Sequence, residues 1–444
     1  MDTILKVVKT IQAYLWNFPM LVILLGTHIY FTFRLGIIQK WIPMGIRKSF
    51  SKTEGETGNV SPYSALSTAL AATIGTGNII GISTAIALGG PGAIFWCWIT
   101  GVFGIATCYA ESFLSVKYRV RRKDGSFVGG PMYVLEKVLH QKWAAILFSI
   151  FAVLASFGIG SSVQAHSISA AVCGQTEISP HLIGMGTAML AGIVILGGGK
   201  QIAKVCAFLV PIMSIFFLGG CFFIMGKNVA YLRETIQVIV GSAFTSKSLA
   251  GGMTGTLVMT AMRVGISKGL FTNEAGLGSV PMAAATARTV SPVQQGLVSM
   301  TGTFWDTVVM CAITGITIVS SMIRSPEKYI QVSQDRLCFV AFSQLPFQGE
   351  RILSVALVLF AFATIIGWNY YGECAVVYLW GEGGIQNYRI LYLFAVYLGA
   401  VMSLELAWGV SDLFNSLMAI PNIVCIWCLQ KIIAQDTHKF LRGK

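Results

Sequence analysis

Ala71-Ala72-Thr73-Ile74-Gly75-Thr76-Gly77-Asn78 lies in the middle of an apolar segment of membrane length, Ser64 to Leu88. Two glycines and an amide at that depth interrupt the helical pairing that lipid demands. A backbone group left unpaired in hydrocarbon is costly, so such a break persists only inside protein or beside a cavity that holds a solute or ion. Gly75 and Gly77 free the carbonyls around Ala71 and Ile74 to face a cation. A half-helix starting near Asn78 turns its N–H groups and positive end toward a carboxylate. The Asn78 amide can serve either partner, with an oxygen for a cation and an N–H for an anion. Taken alone, the octapeptide also fits a close Gly-x-Gly contact between two helices.

The composition sets the solvent. The chain has 444 residues, of which 55% are hydrophobic and 11% charged, with mean hydropathy +0.72. Soluble domains carry roughly 25% charged residues, so this is an all-α polytopic membrane protein. A net charge of +13 would suggest nucleic acid in a soluble protein. Here the charge lies in loops, and no nucleic acid is expected as a partner. Ten cysteines fall mostly within apolar segments, and Cys425-x-x-Cys428 sits in an expected helix without histidines, which reads as packing rather than a redox or zinc site. The first apolar stretch reads as a retained span rather than a signal peptide.

A span takes about 20 apolar residues. Eleven candidates follow: 14–36, 64–88, 92–117, 143–172, 181–198, 204–226, 250–266, 297–322, 352–379, 389–410 and 413–434. The loops on one side then carry 20 Lys and Arg against 9 on the other, which places the N-terminus outside and the C-terminus in the cytoplasm. The basic run Lys117 to Lys123 is expected to touch anionic lipid. The last ten spans divide into groups of five, 64–226 and 250–434, preceded by 1–63 and followed by the tail 435–444. An odd number of spans in each group forces opposite orientations, the condition for an inverted repeat. The second group also opens on glycines, Gly251-Gly252-Met253-Thr254-Gly255, and paired breaks in two halves point to a transporter's binding site.

Longer motifs carry a resemblance. Residues 61–81, SPYSALSTALAATIGTGNIIG, are followed by GGPGAIFWCW at 89–98, FGIGSSVQA at 157–165, GLFTNEAGLGS at 269–279 and TIIGWNYYGE at 364–373. In this order the chain resembles the alanine or glycine:cation symporters, the sodium:alanine symporter family. The resemblance implies a leucine-transporter-like fold, with two inverted five-helix repeats and one extra N-terminal span. It also implies sodium-coupled uptake of a small neutral amino acid, with sodium as co-substrate, no cofactor and no obligatory protein partner.

In that fold a cation sits between the first break (Ala71, Ile74) and Thr364, while Gly75, Asn78, Gln164, Gly367 and Trp368 surround the substrate. Met253 and Thr254 complete the cavity. The sequence departs from the family at Cys97, Ser161-Ser162, Met253 and Ala363. At the last of these a serine commonly precedes Thr364, so one hydroxyl of the cation shell is missing. Gln164 also fits an interhelical hydrogen bond. His166 lies about 200° around its helix from Gln164 and reads as a packing residue.

Asp306 is a carboxylate inside an apolar segment, a position that pairs or takes part in coupling. Arg263 is a candidate partner. Glu111, Glu373, Glu405 and Asp412 fall nearer span ends, where water can reach them. Asn273 to Gly276 is read as a cytoplasmic loop, either part of an inner gate or a capped turn. No H-E-x-x-H, nucleophile elbow or phosphate-binding loop is present, so the protein is not expected to be an enzyme. A passive channel would show a continuous filter or charged ring instead. Multi-pass insertion in a bacterial-type inner membrane is the expected location.

Overall fold

The computed structural model describes residues 19–51, 57–245, 258–402 and 404–443, side chains 404–411 excepted. Helix α1 (Pro19–Arg34) turns through 68° into the segment containing the short α2 (Ile42–Ser49). Helices α3 (Pro62–Thr73) and α4 (Ile80–Gly89) are the halves of one broken segment, bent by 59°. Next come α5 (Gly92–Lys117), a hairpin of β1 (Val120–Arg121) and β2 (Phe127–Val128), and α6 (Pro131–Lys137). Helices α7 (Lys142–Cys173), α8 (Pro180–Ile195) and α9 (Gly198–Lys227) follow.

The second part begins with α10 (Leu232–Phe244), α11 (Val258–Asn273) and the short α12 (Val280–Ala284). It continues through α13 (Pro292–Arg324), α14 (Leu337–Phe342), α15 (Gly349–Trp380), α16 (Ile385–Val401) and α17 (Leu404–Cys428). A bend of 60° then leads into α18 (Gln430–Arg442). Among the described residues, α5, α7, α9, α13 and α15 are each long and apolar enough to cross a membrane, and eight spans result if each bent pair is one.

Local chemistry explains the starts. Ser61-Pro62, Ser179-Pro180 and Ser291-Pro292 each open a helix, with the serine oxygen accepting a backbone N–H of the first turn and the proline occupying a position that has no N–H to satisfy. Packing explains one close approach. Gly265 and Gly269 lie one turn apart on α11, and a methyl group on either would collide with α5, at the Ala93 carbonyl and the Thr100 hydroxyl. Small residues of this kind let helix backbones touch in a membrane protein.

Several expectations are corrected. The segment 227–248, expected as a loop, contains α10. The last span ends at Cys428 rather than running to 434, because the polar sequence Gln430-Lys431 turns the chain away. The basic run from Lys117 is engaged by protein. Lys117 pairs with Asp436, Arg119 donates to the carbonyls of Thr57, Ala285 and Ala287, and Arg122 meets Glu382 at 3.1 Å. The carbonyls of Ala285 and Ala287 need such a donor, which explains why Arg119 turns inward. All ten cysteines are free, Cys425 buried and Cys428 exposed.

Candidate functional site

The first break forms where its sequence places it. Helix α3 stops at Thr73, Ile74 adopts an extended conformation, Thr76–Asn78 make one tight turn, and α4 begins at Ile80. Gly75 is there because of α15. A methyl group on it would stand 2.6 Å from Thr364 Oγ1 and 3.8 Å from Gln164 Oε1. Thr364 Oγ1 lies 3.1 Å from both the Ala71 and the Phe360 carbonyl oxygens. One turn on, Gly367 lies against the backbone of Ala72, so its role here is to bring α15 up to α3. The geometry thus joins Ala71, Gly75, Gln164 and Thr364 at one place.

Asn78 holds the break from within. Its Oδ1 accepts the Gly75 N–H at 3.0 Å, and its Nδ2 donates to Asp306 Oδ1 at 2.8 Å. Thr307 Oγ1 donates to the other Asp306 oxygen at 2.7 Å. Asp306 therefore pairs with Asn78 across 228 residues, and not with Arg263. It lies in a π-helical turn, Phe304–Cys311, inside α13. A second π turn, Ser156–Ser162, interrupts α7 just before Gln164, whose Nε2 donates to the Ile159 carbonyl at 3.0 Å. The extra residue in such turns re-aims side chains, and they recur at functional sites.

A second non-helical stretch lies beside the first. Between α11 and α12, residues Glu274, Gly276 and Gly278 all have positive φ (54°, 86° and 86°). The ideal Cβ of Gly77 would lie 3.2 Å from Thr272 Oγ1, at the end of α11. This stretch, read from the sequence as a cytoplasmic loop that is part of an inner gate or a capped turn, contains the capped turn: Asn273 Oδ1 accepts the Ala275 N–H at 3.0 Å, and Asn273 and Glu274 are 1% and 2% exposed. The reason is a set of polar partners from distant helices. Glu274 Oε1 accepts from Trp368 Nε1 at 3.0 Å and its Oε2 from Ser279 Oγ at 2.6 Å. Glu111 Oε2 accepts from the Gly278 N–H at 3.2 Å and from Asn422 Nδ2 at 2.8 Å, while Asn422 also donates to the Gly276 carbonyl.

Glu111 was thus wrongly expected near water, whereas Glu373, which accepts both arms of the Arg389 guanidinium at 2.7 and 3.0 Å, lines a cavity open to the loops. The side chain of Glu405 lies outside the described residues, as do Met253, Thr254 and the whole glycine run 251–255.

Trp368 is fully buried, with its indole fixed by Glu274 and its Cβ facing Gly160. His166 is turned elsewhere, 3.0 Å from the Met402 carbonyl. Around the two breaks, Thr76 Oγ1, Gln164 Oε1, Asn369 Oδ1 and Nδ2 and the Tyr371 hydroxyl are buried with no protein partner. Buried polar atoms are nearly always bonded, so this concentration marks a place suited to a polar guest. A cavity of about 300 Å³, lined by Asn59, Thr68, Arg122, Tyr370, Glu373 and Arg389, reaches α3 from the loops at one end of the helices.

Comparisons with known proteins decide the family. The sequence model of the Sodium:alanine symporter family matches residues 1–444. The chain belongs to the sodium:alanine symporter family. It is 42% identical to the sodium/alanine symporter AgcS of Methanococcus maripaludis, over 98% of this chain and 97% of that protein. It is 37% identical to a Bacillus subtilis protein named "Probable sodium/glutamine symporter GlnT", over 97% of this chain and 89% of the relative. Its fold is similar to that of a substrate-bound, outward-open Na+-coupled sialic acid symporter, with a TM-score of 0.53 and 12% identity over 95% of this chain and 85% of the other. Members of the sodium:alanine symporter family are multi-pass membrane transporters, and amino-acid:cation symport is the activity to which membership points.

Proposed function

We propose that this protein imports a small neutral amino acid, alanine or glycine, on a sodium gradient by alternating access. One observation carries the reading. The break at Gly75, the Thr364 hydroxyl and the unpartnered Gln164 oxygen meet at one buried place, between a half-helix end and an unbroken helix. Ala71 O and Thr364 Oγ1 are 3.1 Å apart, so both can face one ion once the Thr364 proton is directed to Phe360 O. Hard cations take such oxygen sets. With alanine at position 363 the set has one hydroxyl, and the Ile74 carbonyl is the next ligand available.

The carboxylate of the amino acid is assigned to the Gly75–Asn78 turn, with Gln164 and Trp368 shaping the remaining space. Because the indole is tethered to Glu274, that wall is stiff. A pocket that differs by one methylene discriminates by only ~1–3 kcal/mol, so preference among alanine, glycine and serine is graded. AgcS and GlnT carry names with different amino acids, and side chains near the two breaks are where such a difference would arise.

The arrangement assigned to the whole is eleven spans, with 64–226 and 250–434 as inverted repeats after the N-terminal span. The C-terminus and the 300 Å³ cavity then face the cytoplasm of a bacterial-type inner membrane. Sodium acts as co-substrate. One observation favours a second reading, coupling to protons. Glu111, Glu274 and Asp306 are buried carboxyl groups without an ion-pair partner among the described residues.

Reconstitution into liposomes tests both readings. Labelled alanine and glycine should accumulate above the outside concentration under an inward sodium gradient and not under potassium alone. Accumulation driven by a pH gradient without sodium would select the proton reading. Equilibration without accumulation under every gradient would remove both.

A further inference from the structure

A basic groove lies apart from the transport site. It has a volume of about 630 Å³ and is lined by Arg34, Gln435, His438, Lys439 and Arg442. Arg34 is the last residue of α1, and the other three basic side chains share one face of α18, at spacings of three and four residues. The two helices are close here, since the ideal Cβ of Gly36 would lie 3.8 Å from the His438 ring. No acidic side chain among the described residues lines the groove. Asp436, the one acidic residue of α18, does not line the groove and is paired with Lys117. Among the described residues, none of the four basic side chains has an ion-pair partner. Positive groups gathered in one concavity without a counter-charge of their own are complementary to an anion.

We propose that this groove binds the phosphodiester headgroup of an anionic phospholipid. Its position argues for lipid. Arg34 ends an apolar helix whose outward residues, Ile29 and Phe33, are exposed at 36% and 68%, and Ile37 beyond it is 53% exposed. Acyl chains can lie along that face while the phosphate reaches the groove. Helix α18 turns 60° off the axis of the preceding helix, the course of a helix lying along a membrane surface. Basic pockets beside membrane helices on this side of a bilayer favour anionic headgroups. Tyr109 and Thr437 join α18 to α5 by a 2.7 Å hydrogen bond, so a lipid in the groove also clamps α1 against the helix that supports the second break.

The test uses the full chain, purified in a neutral detergent. Phosphatidylglycerol is titrated in, retained lipid is counted by native mass spectrometry, and the thermal unfolding midpoint is followed. The same titration is run with phosphatidylcholine, with inorganic phosphate, and with Arg34→Gln/Lys439→Gln/Arg442→Gln. Each basic residue near such a surface contributes about five-fold, so the triple variant should bind phosphatidylglycerol on the order of a hundred-fold more weakly. The wild-type midpoint should rise with phosphatidylglycerol only, and less at high salt. If the triple variant does not fold, Lys439→Gln and Arg442→Gln singly should each show the five-fold loss. Unchanged phosphatidylglycerol binding in these variants overturns the proposal. An equal midpoint rise with inorganic phosphate or with phosphatidylcholine overturns it as well.

Discussion

Replacing Asn78 by alanine removes the buried hydrogen bond its Oδ1 accepts and those its Nδ2 donates to Asp306 and Cys311, and leaves the partners behind. The Gly75 N–H loses its acceptor, at 3.0 Å, and Asp306 Oδ1 loses its donor, at 2.8 Å. A buried group left unsatisfied costs ~1–3 kcal/mol, more when it is charged. The two together therefore come to ~2–6 kcal/mol, a factor of about thirty to more than ten thousand in the population that keeps the native break. Sodium-driven alanine uptake by Asn78→Ala in proteoliposomes should fall at least thirty-fold, with membrane insertion retained and the thermal midpoint lowered.

Asp306→Asn supplies the control. An amide keeps an oxygen for Asn78 Nδ2, so the break should persist. If Asp306 acts only as an anchor, uptake in this variant stays within a few-fold of wild type. The double variant shows how the pair acts. Because both changes strike one interaction, Asn78→Ala/Asp306→Ala should be less impaired than the product of the single effects. Wild-type uptake by Asn78→Ala would refute the reasoning outright. Strict additivity in the double variant would show that Asn78 and Asp306 act separately.

Two further outcomes follow from the geometry. Trp368→Phe removes the donor to Glu274 Oε1 and should weaken apparent amino-acid affinity by ~1–3 kcal/mol, read as a rise in KM for alanine of about five-fold to about 150-fold with the sodium activation curve little changed. An unaltered KM would mean that the indole tether does not shape the substrate wall. Gly265→Ala places a methyl group against the Ala93 carbonyl of α5 and should lower the thermal midpoint before any transport parameter is considered, through ~1–3 kcal/mol of overpacking. An unchanged midpoint would show that α11 and α5 can separate freely.

The first break was legible because its signal is local. Two glycines and an amide at the centre of an apolar run point to a break as well as to a close helix contact, and α3 and α4 divide there. Helix lengths were legible too, since apolar runs of 26 to 33 residues recur as α5, α7, α9, α13 and α15. The burial of the second non-helical stretch was not legible, because its residues look soluble. Asn273-Glu274 resembles a loop until Trp368, Ser279, Glu111 and Asn422 are brought to this stretch from up to 167 residues away. The same holds for Asp306, whose partner lies 228 residues upstream, and for Glu111, whose place near a helix end suggested water. Gly367 shows a third kind of limit. Its neighbour Trp368 drew attention to the position, but only the approach of Ala72 reveals that the glycine is a contact surface. The π turns in α7 and α13 have no sequence mark at all, since an extra residue in a turn changes no apolar pattern.

The Asn78 amide, fastened at one end to Gly75 and at the other to Asp306, has a consequence for energetics. Held at both ends before any solute arrives, the unwound turn would cost an amino acid bound at the proposed site little of its affinity to organise. Whatever affinity the guest has is then available to favour one orientation of the surrounding helices over the other. A floppy turn would have absorbed much of that free energy locally, and the rest of the molecule would barely have registered that the site was filled.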